Sequence, residues 1–250
     1  MRHLAAAVFA ALTMSCAAFG SGASEDDSFS CLGIDAVSIN AEFLNVEVSG
    51  DEGFAVSMSS ELPSDSLLGG RGYKLLHEVE GSRLKVWLEK DWPFDRSAEG
   101  TLVLQCPRDV RLKIDAVSGR IAVERMESGY CALRTVSGGI SLRHSSGVMS
   151  ATSVSGRIAL DADEGRVTVK TVSGGIEGRG LAIEGDSSFS TISGDVDIRL
   201  DTPLDQLRFD LRSVSGRIVA GTVRAERGLR MGMVGALVRG QSVSGALIFR

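Results

Sequence analysis

A chain of 250 residues with 43% hydrophobic residues, 30 Gly and only 4 Pro is long enough to bury a core and has the glycine to turn often. Its formal net charge of −5 and pI near 5.3 exclude the strongly basic surface typical of nucleic-acid-binding domains. Once an N-terminal leader is removed, Cys31, Cys106 and Cys131 remain, an odd number that allows at most one internal disulfide, with Cys31–Cys106 as a candidate staple of the N-terminal part.

Taken in chain order, residues 1–23 read as an export signal. Arg2 supplies the positive start, residues 4–14 a short apolar run, and Ser21, Gly22 and Ala23 the small residues of a cleavage site. A run of about eleven residues is too short to stay in a bilayer as an anchor, and no later stretch is long enough. Two processing routes stay open. Cleavage after Ala23 gives a free chain; alternatively Ser15-Cys16 resembles the end of a lipoprotein signal, in which Cys16 becomes the acylated first residue, although Thr13 stands where such signals prefer Leu.

After a mature N-terminal segment at 24–33, residues 34–115 alternate apolar and polar positions in several short runs, as half-buried strands do. Loops at 60–72, with Pro63 and Gly69-Gly70, and at 90–100, with Pro93, interrupt them. This region is expected to be the strand-rich N-terminal part of the structure that residues 116–250 continue.

From Val117 onward a short phrase returns seven times. Its glycines are Gly119, Gly138, Gly156, Gly174, Gly194, Gly216 and Gly245, so the steps are 19, 18, 18, 20, 22 and 29 residues. In the cleanest copy, residues 154–171, Ile158 and Leu160 alternate with polar neighbours, and Val167 and Val169 do so again after a polar stretch ending at Gly165. That is two short strands per repeat, with Ser-Gly at one turn and Gly129, Gly147 and Gly165 marking the other. One such unit cannot bury its apolar row alone; stacking units at the strand spacing of about 4.8 Å joins the rows into one core. The expected fold is all-β: a β-solenoid of short 18–22-residue coils with a strand-rich N-terminal cap.

Residues 102–123 (LVLQCPRDVRLKIDAVSGRIAV) show an apolar strand ending at Pro107, a basic-acidic pair, an alternating strand, and then the first Ser-Gly-x-Ile. In this the chain resembles the bacterial "putative adhesin" domains of unknown function, whose repeated Ser-Gly-x-Ile units follow a strand ending in Val-Pro. The resemblance runs from about Ile34 to the C-terminus. Here Cys106 replaces the Val, and the Asp common after the family's Ser-Gly occurs only as Asp195. It implies a β-solenoid at the cell envelope.

Several groups were weighed for chemistry. The residues after the repeat glycines are Arg120, Gly139, Arg157, Gly175, Asp195, Arg217 and Ala246. Stacked, they form one column, in which alternation with Gly relieves repulsion and lets each Arg lie across the empty neighbour; Arg120, Arg157 and Arg217 are also the candidate anion- or partner-binding column. The serines of the phrase, Ser118 to Ser244, read as turn-stabilising hydroxyls rather than nucleophiles, because His77 sits in a strand pattern and His144 in a polar turn. Asp161, Asp163 and Glu164, or Asp195 with Asp197, are the carboxylates that a glycan-cleaving solenoid would use. Cys and His are too scattered for zinc, and the Gly-Gly pairs lack the regular Asp of a calcium solenoid, so no metal or cofactor is expected.

The late 29-residue step carries Arg224, Arg227, Arg230 and Arg239 among apolar residues, and residues 244–250 end the chain as an uncapped strand, which predicts self-association through the C-terminal coil. The function read from these features is a non-enzymatic, exported, periplasmic or envelope-associated scaffold or binding module for an envelope or extracellular protein or glycan. Contact with the membrane is expected only through a lipid anchor, if the lipoprotein route leaves an acylated Cys16. The alternatives are a glycan-active solenoid enzyme and an accessory protein of envelope stress or assembly.

Overall fold

The computed structural model describes residues 24–25, 28–61, 73–90 and 100–250. The export signal, Cys16 and most of the loops at 60–72 and 90–100 lie outside them.

The chain is a β-solenoid built from two sheets, and the expected two strands per repeat are present. Each central winding contributes one strand to each sheet. Arg111–Ala116, Glu127–Thr135, Ser146–Ser153 and Glu164–Thr171 run side by side in the front sheet. Ile121–Glu124, Ile140–Arg143, Ile158–Asp161 and Ile176–Ile183 do so in the back sheet. Pairing is parallel and in register apart from shifts at 128–131 and 178–181: Ile121, Ile140, Ile158, Ile176 and Val196 form one back-sheet row, and Leu112, Cys131, Met149 and Val167 a front-sheet row.

The period-two alternation of the sequence decides which side chains enter. Ile158, Leu160, Val167 and Val169 are all at most 2% exposed, while their polar neighbours face out. Each aliphatic side chain so buried stabilises by about 1.5–3 kcal/mol relative to exposure, so two sheets with one shared interior hold where a lone unit would not.

At both ends, order along the stack departs from order along the chain. The first winding, Ala36–Glu42 and Asn45–Asp51, sits between Arg83–Lys90 with Thr101–Pro107 on one side and Arg111–Ala116 with Ile121–Glu124 on the other. The last, Ala236–Ser242 and Leu247–Phe249, sits between Ser187–Ser190 with Val196–Leu200 and Leu207–Ser213 with Ile218–Ala220. The C-terminal strand is therefore paired on both sides, which corrects the expectation of an open final coil at residues 244–250. The end of the stack is instead covered by the antiparallel strands Gly228–Met231 and Val223–Ala225, drawn from the long 29-residue step. Tyr73–Glu80 and Ala55–Glu61 cover the other end in the same way. Self-association through the C-terminal coil thus loses its ground.

The register also removes the candidate disulfide. Cys31 lies on a strand separated from the strand of Cys106 by Ala55–Glu61. Two strand spacings, about 9.6 Å, exceed the roughly 6.8 Å that a disulfide spans between Cα atoms. Cys31 is buried, and Cys106 and Cys131 are buried free thiols.

Candidate functional site

The Ser-Gly corner, where the front sheet passes into the back sheet, repeats on every winding from Val117 on. The seven glycines stand in one file in the order Gly119, Gly138, Gly156, Gly174, Gly194, Gly245, Gly216, as a Cβ built on each shows. It would collide with the backbone carbonyl of the preceding glycine in the file, or, for Gly119, with that of Leu44. Glycine is required here by close approach, since only a hydrogen leaves room for the neighbouring carbonyl.

The hydroxyls that hold this corner are not those of the Ser-Gly pairs. The serines at 118, 137, 155, 173, 193, 215 and 244 are exposed, and among the described residues only Ser215 of the seven has an acceptor, the Val243 carbonyl at 3.3 Å. At five of the seven corners the work falls to the residue three places before the glycine. Thr135, Ser153 and Thr171 accept the N–H of Gly138, Gly156 and Gly174 at 3.1, 2.8 and 3.1 Å. Thr135, Ser153, Thr191 and Ser213 also donate to the glycine carbonyl of the next winding, at 3.3–3.4 Å. All five hydroxyls are buried, and Thr135 and Ser153 both close a turn and tie it to its neighbour. The signal was in the sequence, where six of the seven phrases read Thr or Ser, then Val or Ile, then Ser-Gly.

Between buried hydroxyl and exposed serine stands an aliphatic residue that faces water. Val117, Val136, Val154, Val172, Ile192, Val243 and Val214 are 40–71% exposed. Backbone bonds fix them in a file: the N–H of Ser137, Ser155 and Ser173 reach the carbonyls of Val117, Val136 and Val154 at 2.8 Å each, and Ser193, Ser244 and Ser215 continue the series.

The column beyond the glycines runs Arg120, Gly139, Arg157, Gly175, Asp195, Ala246, Arg217, so Arg217 neighbours Ala246 rather than Asp195. Its arginines are exposed, but they do not lie across the glycines. The atom nearest an added Cβ is the Arg157 carbonyl oxygen for Gly139 and the Asp195 carbonyl oxygen for Gly175, with no side chain as near. Arg157 turns instead to Glu177 at 3.5 Å, an exposed pair that adds little stability.

The opposite corner departs from expectation as well. The sharp turn falls at Arg125, His144 and Ala162, all left-handed with φ of 56°, 49° and 52°, ahead of Gly147 and Gly165. The next residue of each winding, Met126, Ser145 or Asp163, points inward and is buried. Asp163 accepts the N–H of Ser145 at 2.9 Å and of Asp161 at 3.1 Å. Burial outweighs these bonds and pushes its carboxyl up to about 6.

The carboxylates considered for glycan cleavage are thus separated by role. Asp163 is an internal turn cap, while Asp161 and Glu164 face water. Asp195 accepts the N–H of Ala246 at 2.7 Å, and Asp197 pairs with Arg250. His77 is buried against Phe29 with ring centroids 4.2 Å apart, and His144 is exposed. Burial pushes the Cys106 and Cys131 thiols up to about 12, far from nucleophilic. Among the described residues no three His, Cys, Asp or Glu side chains gather as metal ligands.

No curated protein matches the chain. Among solved structures, a "putative cell adhesion protein" from Clostridium sporogenes ATCC 15579 aligns over 89% of this chain and 97% of its own, at 10% identity and a TM-score of 0.33. Residues 108–232, half of the chain, match the family described as Toastrack DUF4097, and they hold the regular windings and most of the Ser-Gly corners. The chain belongs to the Toastrack DUF4097 family.

Proposed function

We propose that this protein is a non-enzymatic binding module of the cell envelope, exported by its N-terminal signal and displaying the Ser-Gly edge as its working surface. The observation that carries this reading is the edge itself. Seven windings present an aliphatic residue and a serine to water in one unbroken file, whereas Asp163, Asp195 and Asp197 are engaged by a turn, a backbone bond and an ion pair, and the buried hydroxyls by the corners. Repetition at a fixed spacing suits a partner that is itself extended or repetitive, such as an envelope glycan or a surface.

Incubating the purified chain with isolated cell envelopes tests this. Saturable retention without release of reducing sugar ends is the expected result. Absence of retention rejects the binding module, and release of reducing ends favours the glycan-active enzyme. Fractionation of cells expressing the full chain, with mass spectrometry of the mature N-terminus, tests export and shows whether the chain starts at Ser24 or at an acylated Cys16.

A further inference from the structure

The aliphatic file contributes nothing to the core. The corner it stands on is closed by the glycine and the buried hydroxyl, neither of which requires a β-branched residue between them. Yet all seven positions carry Val or Ile, each 40–71% exposed. Six rung spacings make a ridge about 29 Å long. Exposed aliphatics scattered singly need no explanation, but a contiguous exposed set marks an interaction surface.

Cations flank the ridge on both sides. Two residues before the file, on the front sheet, stand Arg134, Lys170 and Arg212; three residues after it, on the back sheet, stand Arg120, Arg157 and Arg217. The acids in the same two columns are Asp115, paired with Lys113 at 3.0 Å, and Asp195, which accepts a backbone N–H. Six cations against two acids is a local reversal in a chain of net charge −5. Arg157 and Arg212 reach Glu177 and Asp210, whereas no ion pair to a described residue holds Arg120, Arg134, Lys170 or Arg217.

We propose that this edge docks on an anionic phospholipid surface, with the aliphatic ridge entering the headgroup layer and the two basic columns meeting the lipid phosphates. A narrow apolar strip bordered by Lys and Arg is the arrangement by which structures lie on acidic bilayers. A second copy of the chain fits poorly, because ridge against ridge brings basic columns together. A folded acidic protein fits less well than lipid, since the ridge has neither the aromatic anchors nor the pockets that concentrate protein–protein affinity. The proposal deepens the binding-module reading by naming the partner of that edge.

The test is flotation of the full chain with phosphatidylcholine vesicles, with and without phosphatidylglycerol. Two variants accompany it, Val136→Ser/Val154→Ser/Val172→Ser and Arg134→Gln/Lys170→Gln. Both change exposed side chains, and unchanged thermal melts confirm that they fold. The wild-type chain is expected to float with phosphatidylglycerol vesicles in a salt-sensitive manner, and each variant to bind about tenfold more weakly or less. Undiminished flotation of the Val→Ser variant overturns the proposal, as does equal binding to neutral vesicles or none at all. A wild-type dimer that the Val→Ser variant dissolves identifies a second copy as the occupant, and retention on polyglutamate without vesicle binding identifies an acidic polypeptide; either outcome overturns it. Envelope retention through glycan is measured separately, so failure with vesicles leaves the binding module standing.

Discussion

The central windings and the two ends of this solenoid solve the same problem by different means. In the centre, from Arg111–Ala116 to Glu164–Thr171, residues stack on their equivalents in the next winding, with one bulge between Ser128 and Cys131. Stability there comes from repeated small devices: a glycine that lets carbonyls approach, a hydroxyl that closes each turn, and a narrow aliphatic interior. At the C-terminal end the equivalence is lost. Phe249 fills the interior between Phe189 and Phe209, with both ring pairs edge-on at 5.8 Å, and Gly240 leaves the space that its ring occupies. Antiparallel strands then cover what the winding pattern would leave open. Regular stacks propagate by copying, and they stop only where something different is placed on top of them.

This contrast is open to mutation. Phe249→Ala removes the largest plug of the end and should cost about 4 kcal/mol. If denaturant melts show less than about 1 kcal/mol, the end is held by its antiparallel strands alone. In the centre, Gly156→Ala drives a methyl group into the Gly138 carbonyl and should cost about 3 kcal/mol, among the larger single-site effects. Gly129→Ala, where an added Cβ meets nothing within 4 Å, is its control and should stay within about 1 kcal/mol of wild type.

Asp163 gives the centre a pH dependence. Its folded pKa, about 6, lies above the ordinary 3.8, so between those values the native state holds the extra proton. Stability contributed by this group is therefore fully present below about pH 4, falls as pH rises toward 6, and is flat above. The loss is on the order of 3 kcal/mol in all, roughly two thirds of it between pH 4.5 and 7. Urea melts of wild type and Asp163→Asn at pH 4.5 and 7 should show this slope in the first and not in the second; equal slopes would place the titrating group elsewhere.

Smaller effects sharpen the picture of single corners. Thr171→Val keeps the shape but leaves the Gly174 N–H without its acceptor, for about 1–2 kcal/mol. Ala162→Gly relieves a left-handed alanine and should stabilise by about 1 kcal/mol, with a raised melting temperature as the readout.

How much of this was legible in the sequence follows from the same contrast. Where copying rules, spacing alone predicted the strands, the inward rows and the glycine file. The long step between Gly216 and Gly245 marked a break in rhythm, yet it could not reveal that the last winding slides beneath the one before it. Both arrangements bury the same alternating residues, and the choice is made by how Phe249, Gly240 and Ala220 fit against distant windings. Spacing alone puts Arg217 beside Asp195, whereas the changed order of the last windings sets it beside Ala246, and the direction of Arg157 depends on Glu177, a residue outside the repeated phrase. The hydroxyls at Thr135, Ser153 and Thr171 stand in the sequence as a Thr or Ser three places before the glycine, a weaker signal than the constant serine beside it. The exposed face of Val117, Val136 and Val154 also went unread, since alternation assigns a residue to a face only inside a strand and these sit at the corner.

The central claim is that the Ser-Gly corners form one file in which the last winding precedes the one before it in sequence. Cysteine cross-linking tests it most directly. Ser193 and Ser244 occupy adjacent corners, whereas Ser193 and Ser215 are two spacings, about 9.6 Å, apart. Under mild oxidation Ser193→Cys/Ser244→Cys should form a disulfide within the native fold, and Ser193→Cys/Ser215→Cys should not. A disulfide in the second variant and none in the first would show the windings stacked in simple chain order and contradict the account.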